Sequence, residues 1–321
     1  MGFSDRVKGV LLAFISVIAV SNVYLFSKAA LSEVTFAQFG VYWFAFGLLW
    51  IVLYGCSQKT YRSVKPFTTK KRGLLLLLGL IEIVSTFYFF KAIHTISNPA
   101  ITSFLGNISP VFVLVLSFLF LNEHFRNRQL AGMLLALFGA FIISYKGNTT
   151  IRDVFIEGSQ YVIYSSLLSA ISSVIIKKNI KNIHPVILTT NRSLFLLVFS
   201  LIALLVTRDT IIISFGALIN IFAGSLLGPF LTVIAGYLAL QYIPLSLRAT
   251  INSTKGVFVL LGSYLYFGLF PPLIAVLGGM ITIAGLLLLA GVKKKISCLA
   301  TRSIKSEYSD LENEINANIR S

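Results

Sequence analysis

Uncharged apolar stretches recur along this chain of 321 residues and limit the folds that are open to it. Gly73–Ile81, Val111–Leu121 and Leu286–Leu289 lie in windows of about 20 residues with almost no charge, the length at which a helix spans a bilayer core of roughly 30 Å. Only 12% of the residues are charged, against about a quarter in soluble domains. Backbone groups find no water in lipid, so these segments must be helices or closed barrels, and continuous rather than alternating apolar runs favour helices. The sequence therefore predicts an all-α membrane protein.

Ten such segments can be placed, and short polar loops separate most of them. Pro99, Pro185 and Pro272 lie at or near the start of a segment, where the missing N–H costs least. The approximate limits of the ten predicted transmembrane helices are 9–31, 36–54, 73–95, 99–121, 128–146, 158–177, 185–207, 217–241, 246–268 and 272–292.

The formal net charge of +16 would suggest a nucleic-acid partner for a soluble chain. Here the basic residues lie in loops, so we expect them to set topology, and we expect no nucleic-acid partner. The termini and even-numbered loops hold twenty Lys and Arg residues and the odd-numbered loops hold five. By the positive-inside rule both termini face the cytoplasm, which predicts a multi-pass protein of the cell membrane, in a bacterium the inner membrane.

The two halves of the chain overlay at an offset of 146 residues. Gly132 then falls on Gly278, Gly139 falls on Gly285, and Val111–Phe112–Val113 falls on the identical Val257–Phe258–Val259. Five spans separate the copies, so the second copy enters the membrane in the opposite sense, which is typical of secondary transporters with a site between the halves. We therefore expect two inverted five-helix repeats, residues 1–150 and 151–292, followed by a polar cytoplasmic tail, 293–321.

The first repeat also carries a recognisable pattern. The stretch from Ile108–Ser109–Pro110 to Leu121–Asn122–Glu123, followed by Gly132 and Gly139, resembles the repeat signature of the drug/metabolite transporter superfamily, EamA type. In that signature a Pro lies at the start of the fourth span, a Glu lies at its end, and glycines recur along the fifth span. The resemblance covers roughly residues 9–292. It implies a ten-helix fold with a central cavity lined by the third, fourth, eighth and ninth spans, among others.

The second half departs from this pattern in its ninth span. Gly256 stands where the signature has Pro, and Leu269 stands where it has Glu. These differences make the ninth span a candidate for a specialised function. Lys255 also resembles the ninth-span lysine that binds phosphate in related nucleotide-sugar and triose-phosphate carriers.

Three ionisable residues are predicted within the spans, where charge is costly and points to function. Glu82, Arg192 and Lys255 each lie seven to nine positions into a span that begins at the cytoplasm, hence roughly 10–14 Å deep. At a common depth they could meet in one cavity. Glu82 could bind a coupling proton or neutralise a cation, and Arg192 could either enter the cavity or extend toward the cytoplasm.

The ninth span also has a polar stripe. Arg248, Asn252 and Lys255 are spaced so that they share one helix face, and donors on one face suit a carboxylate or phosphate. The alternative for Lys255 is a structural ion pair with Glu82. The full set of predicted substrate-binding residues is Lys255, Asn252, Glu82, Arg192, Tyr88, Asn107, Asn22 and Trp43.

The chain has no motif for catalysis, for a metal ion or for ATP hydrolysis, so no catalytic residue, cofactor or metal is expected. The predicted function is a secondary active transporter, and export is the commoner direction in the family it resembles. The substrate would be a small anionic or zwitterionic metabolite, and the other partners membrane lipid and a coupling proton, with the protein a monomer or homodimer. One alternative is an exporter of lipophilic amines, in which Glu82 would dominate binding. A membrane-embedded enzyme is a more distant alternative.

Overall fold

A computed structural model describes residues 5–63, 68–121, 127–144 and 156–291. Throughout these residues the regular structure is helical, which confirms the predicted fold class. Seven helices or helix pairs are long and apolar enough to cross a membrane, and further apolar helices are shorter. The helices are α1 (Asp5–Leu31), α2 (Phe36–Ser57), α3 (Thr69–Thr95), α4 (Pro99–Leu105), α5 (Ile108–Leu121), α6 (Asn127–Ser144), α7 (Ser159–Asn179), α8 (Pro185–Thr207), α9 (Phe215–Ser225), α10 (Val233–Tyr242), α11 (Leu245–Asn252), α12 (Lys255–Phe267) and α13 (Leu273–Gly291).

Each of the ten predicted spans coincides with one helix or with a helix pair. The fourth span is α4 followed by α5, and the ninth is α11 followed by α12. The eighth is α9 and α10, joined by a π-helical segment, Leu226–Thr232, that contains Pro229. A proline inside a helix removes a backbone donor, and a π-helical turn is one way to accommodate it.

The breaks in the fourth and ninth spans lie at equivalent positions of the two repeats. α4 ends before Gly106 and Asn107, and α11 ends before Ser253 and Thr254. At the offset of 146 residues Asn107 falls on Ser253, so the same interruption occurs in both halves. Discontinuous helices near the midplane are where many transporters build their binding sites.

The repeated glycines form a close crossing of α6 and α13. A Cβ atom on Gly139 would lie 2.5 Å from the carbonyl oxygen of Gly278, and one on Gly285 would lie 2.6 Å from that of Gly132. The pair Gly139–Gly278 and the pair Gly132–Gly285 exchange under the repeat, so the crossing has twofold symmetry. Small residues let two helix backbones approach closely, which explains the glycines by packing.

Two lysines cap helix C-termini in the same symmetric way. Lys28, in the last turn of α1, donates to three carbonyls at the end of α3 at 2.8–2.9 Å, and Lys177, in the last turn of α7, donates to two at the end of α10 at 2.6–2.9 Å. A cation at a helix C-terminus satisfies carbonyls that have no partner in the helix and opposes the dipole. The accepting residues are Ile93, His94 and Ile96 for Lys28, and Leu240 and Ile243 for Lys177.

Several sequence features fall outside the described residues. They are Glu123, the boundary between residues 150 and 151, and the tail 293–321.

Candidate functional site

A polar cavity lies where the two halves meet, and it consists of three adjoining chambers. Their volumes are about 150, 160 and 210 Å³. Asn252, the last residue of α11, and Ser169 on α7 line all three. We call the smallest the lysine chamber, because Lys255 lines it, and the other two the arginine chambers, because Arg192 and Arg248 line both.

Lys255 occupies the helix break of the ninth span. It is the first residue of α12 and only 3% exposed, and its Nζ donates to Oδ1 of Asn107 at 3.0 Å. Asn107 lies at the equivalent break of the fourth span, so this hydrogen bond joins the two repeats. No carboxylate of the described residues lies within 4 Å of the Lys255 ammonium. The two helix breaks therefore hold a buried cation without a counter-ion.

Two further donors near Lys255 have no partner. The hydroxyl of Thr102 and Nδ2 of Asn107 are buried and make no hydrogen bond to any residue that the structure describes. Thr102 lines the lysine chamber together with Gly106 and Ser109. Buried polar groups are nearly always hydrogen-bonded in native proteins, so unsatisfied donors beside a buried ammonium indicate a place for an acceptor such as an anionic oxygen.

Glu82 and Arg192 form an ion pair in the arginine chambers. Nε of Arg192 lies 2.7 Å from Oε2 of Glu82, and its Nη2 donates to the Thr86 hydroxyl at 3.0 Å. The second carboxylate oxygen of Glu82 accepts from Ser172 at 2.6 Å. Thus Glu82 is paired with Arg192 and not with Lys255, and Arg192 lies inside the protein instead of extending to the cytoplasm.

Arg248 also lines the arginine chambers, although its position at the start of the ninth span places it among the loop cations in the topology count. Its guanidinium lies against the backbone of α10 at Gly236, where a Cβ atom would be 2.4 Å from Nη2. Within the described residues it forms no salt bridge. This makes Arg248 a second cavity cation without an ionic partner.

Aromatic residues form one wall of the larger arginine chamber. Trp43 is 1% exposed, lines this chamber and packs on Phe39 and Phe90 at ring distances of 4.8 and 5.8 Å. Gly228 in the π-helical segment leaves room for its indole ring. Trp43, one of the predicted substrate-binding residues, therefore forms an apolar wall of the cavity.

The structure does not bring Asn22, Tyr88 or Asn107 into the lining of the chambers, although Asn107 contacts Lys255 from outside it. The Asn22 amide donates to the carbonyl of Ile18 in its own helix at 2.9 Å. The ring of Tyr88 packs against the rings of Tyr161 and Tyr164 of α7, with centroid distances of 6.0 and 5.3 Å.

Sequence reasoning missed the serine face of α7. Ser165, Ser169 and Ser172 line the chambers at spacings of four and three residues. This spacing places them on one helix face, so a search for hydroxyl periodicity in a predicted span could have found them. Thr102 had no comparable signal.

An apolar cleft of about 300 Å³ lies beside the polar cavity, between α2, α3 and α8. It shares Phe44, Thr86 and Phe90 with the larger arginine chamber. The cleft is larger than any one chamber, but its lining is chiefly phenylalanine and other apolar groups. We therefore assign the candidate site to the polar cavity, where the ionisable residues lie.

Comparisons with known proteins agree with this architecture. The model of the EamA-like transporter family matches residues 7–145 and 157–291. No curated protein matches the chain. A solved structure described only as a crystal structure of protein is similar to it with a TM-score of 0.68 at 14% identity, over 88% of this chain and 98% of the other. At that identity the likeness shows the fold alone.

Proposed function

Because the chain belongs to the EamA-like transporter family, it is a membrane transporter of the drug/metabolite type, and we propose that it carries a small anionic or zwitterionic metabolite through the polar cavity. Transport would be secondary and proceed by alternating access. The repeated helix breaks and the inverted halves support this mechanism, because such carriers expose one midplane site to each side in turn.

The observation that carries the proposal is the buried ammonium of Lys255. A buried charge is strongly unfavourable unless it is paired, and among the described residues the side-chain partner of Lys255 is the neutral oxygen of Asn107. The unsatisfied donors of Thr102 and Asn107 belong to the same region. A carboxylate or phosphate in the lysine chamber would face the ammonium of Lys255 and the hydroxyl of Thr102, which both line it, and would offset the cost of burying them.

The pairing of Glu82 favours an anion over a lipophilic amine. Each of its carboxylate oxygens already accepts a hydrogen bond, from Arg192 on one side and Ser172 on the other. An amine would have to displace Arg192 and would then face Arg248 and Lys255 as well. Glu82 is better suited to a coupling proton, because its protonation would weaken the pair with Arg192.

The orientation and direction of transport belong to the same proposal. We place the protein in the cell membrane with both termini in the cytoplasm. If Arg248 is counted as a cavity residue and not as a loop residue, the excess of basic residues in the termini and even-numbered loops is almost unchanged. Export is the direction proposed. It would be tested by comparing efflux from whole cells with uptake into everted vesicles.

The decisive experiment replaces Lys255 by glutamine and measures ligand binding. The purified chain would be screened for thermal stabilisation by a library of organic acids, phosphorylated acids, amino acids and amines, followed by proteoliposome flux of each compound that binds. Loss of a charge-assisted contact should weaken anion binding about 10- to 100-fold in Lys255→Gln. Lys181→Gln, at an exposed lysine outside the cavity, is the matched control and should bind normally.

Two results would contradict the proposal. One is anion affinity that is unchanged in Lys255→Gln. The other is stabilisation by amines alone, abolished in Glu82→Gln, which would support the amine exporter instead.

A further inference from the structure

The charges that line the polar cavity do not balance. Arg192, Arg248 and Lys255 are its cations, and Glu82 is the one carboxylate among the described residues that line the three chambers. Glu82 is already paired with Arg192, whose Nε lies 2.7 Å from Oε2 of the carboxylate. Arg248 and Lys255 therefore remain, and each lacks an acidic partner within 4 Å in the described chain.

These two cations line different parts of the cavity, which we call its two ends. Lys255 lines the lysine chamber, whereas Arg248 lines both arginine chambers. Seven residues separate them along the ninth span, a rise of about 10 Å in a continuous helix. Asn252 lies between them in sequence and reaches all three chambers. The cavity thus presents two cationic ends with an amide between them.

The placement of Arg248 depends on a specific feature of α10. Gly236 leaves the surface of this helix open where the guanidinium lies, and a Cβ atom there would meet Nη2 at 2.4 Å and the Ser16 hydroxyl at 3.2 Å. An arginine that served only as a topology signal would need no such recess, because its head group would lie in water among lipid headgroups.

We propose that the transported solute carries two anionic groups, one bound by Lys255 and the other by Arg248. The corresponding chemical class is a short dicarboxylic acid or a phosphorylated carboxylic acid, and the inference rests on the proposed function that an anion occupies the cavity. A monoanion would leave one buried cation unpaired. A zwitterion would place its ammonium in a cavity that already has an excess of positive charge. A dianion neutralises both ends, and Asn252 is positioned to contact its middle.

Matched ligands test the charge requirement directly. The probes are the dicarboxylates from malonate to adipate, each paired with its half-amide as a monoanion of similar shape, such as succinamate for succinate, together with 3-phosphoglycerate, which is compared with glycerate to show the effect of removing the phosphate group. Dissociation constants would come from thermal-shift titrations of the purified full-length chain. We expect at least one dianion to bind 10-fold or more tightly than its monoanionic counterpart.

Arg248→Gln should remove this preference by weakening dianion binding at least 10-fold more than it weakens monoanion binding. Gly236→Ala is the second variant. It retains the charge but displaces the flexible end of the guanidinium, so it should reduce the preference in a protein that still folds. Arg248→Lys should restore part of the preference.

The outcomes separate this inference from the proposed function. If dianions bind no better than monoanions, or if Arg248→Gln keeps the preference, the two-charge inference is overturned. The proposed function still stands in that case, provided that Lys255→Gln abolishes binding of the monoanion. If no anion of either charge stabilises the protein, both proposals fail.

Discussion

Replacing Glu82 by leucine would leave the guanidinium of Arg192 buried without its carboxylate. The two side chains are 12% and 19% exposed, so solvent screens their interaction only weakly. Removing one partner of such a pair costs about 3–5 kcal/mol, because the remaining charge stays desolvated. The variant also loses the acceptor for Ser172, which lies 2.6 Å from the carboxylate. We therefore expect Glu82→Leu to lower the free energy of unfolding by at least about 3 kcal/mol.

The double variant Glu82→Leu with Arg192→Leu provides the test of the mechanism. Replacing both members of a buried pair with apolar residues is often neutral or stabilising, so most of the lost stability should return. A double-mutant cycle should then give a coupling energy of about 3 kcal/mol. Equilibrium unfolding in mixed micelles would be followed by tryptophan fluorescence, to which Trp43 contributes from the wall of the same chamber.

The exposed pair Lys8–Asp5 is the control for this cycle. Its atoms are 3.9 Å apart and its side chains are 49% and 78% exposed, so its coupling should stay below about 1 kcal/mol. If the effects of Glu82→Leu and Arg192→Leu simply add, the two residues are not coupled as the structure indicates. The assignment of Arg192 as the partner of Glu82 would then be wrong.

Two further predictions concern the scaffold. Gly139→Ala places a Cβ atom 2.5 Å from the carbonyl oxygen of Gly278 and should lower the free energy of unfolding by about 1–3 kcal/mol. Gly73→Ala, which has no neighbouring atom within 4 Å, is the control and should be neutral or slightly stabilising. Equal effects at both sites would contradict the close crossing of α6 and α13. Lys28→Met removes the charged donor that binds the carbonyls at the end of α3. It should lower the free energy of unfolding by about 2 kcal/mol and speed amide hydrogen exchange at the end of α3. Unchanged exchange would show that the cap is dispensable.

Much of the fold could be predicted because lipid imposes a simple rule on the backbone. Apolar windows of bilayer length predicted ten segments, and each coincides with a helix or a helix pair, although only seven of these are long and apolar enough to count as spans among the described residues. The repeat was visible because Gly132, Gly139, Gly278 and Gly285 meet at one crossing, where a larger side chain would not fit. The interruption inside the fourth span was not predicted, since Gly106 and Asn107 are common in continuous helices of membrane proteins as well.

The site could be predicted only in part. Depth alone suggested that Glu82, Arg192 and Lys255 share a cavity, and all three do line the chambers. Which cation pairs with Glu82 depends on the rotation of α3 and α8 about their axes, and sequence spacing does not fix that rotation. Arg248 was predicted on the polar stripe of the ninth span but was also counted among the loop cations, because the sequence alone does not separate a cation in a cavity from a cation in a loop near the end of a predicted span.

The two repeats share their scaffold but not their charges. The helix breaks and the lysine caps occur in both halves, whereas the positions equivalent to Lys255 and Arg248 in the first half are Ser109 and Thr102. Both of these hydroxyl residues line the lysine chamber. The inverted symmetry thus sets neutral donors of one half beside a cation of the other, so that the proposed anionic substrate would be bound by both halves at once. A solute held in this way would couple the movement of the two halves to its own binding and release, as alternating access requires.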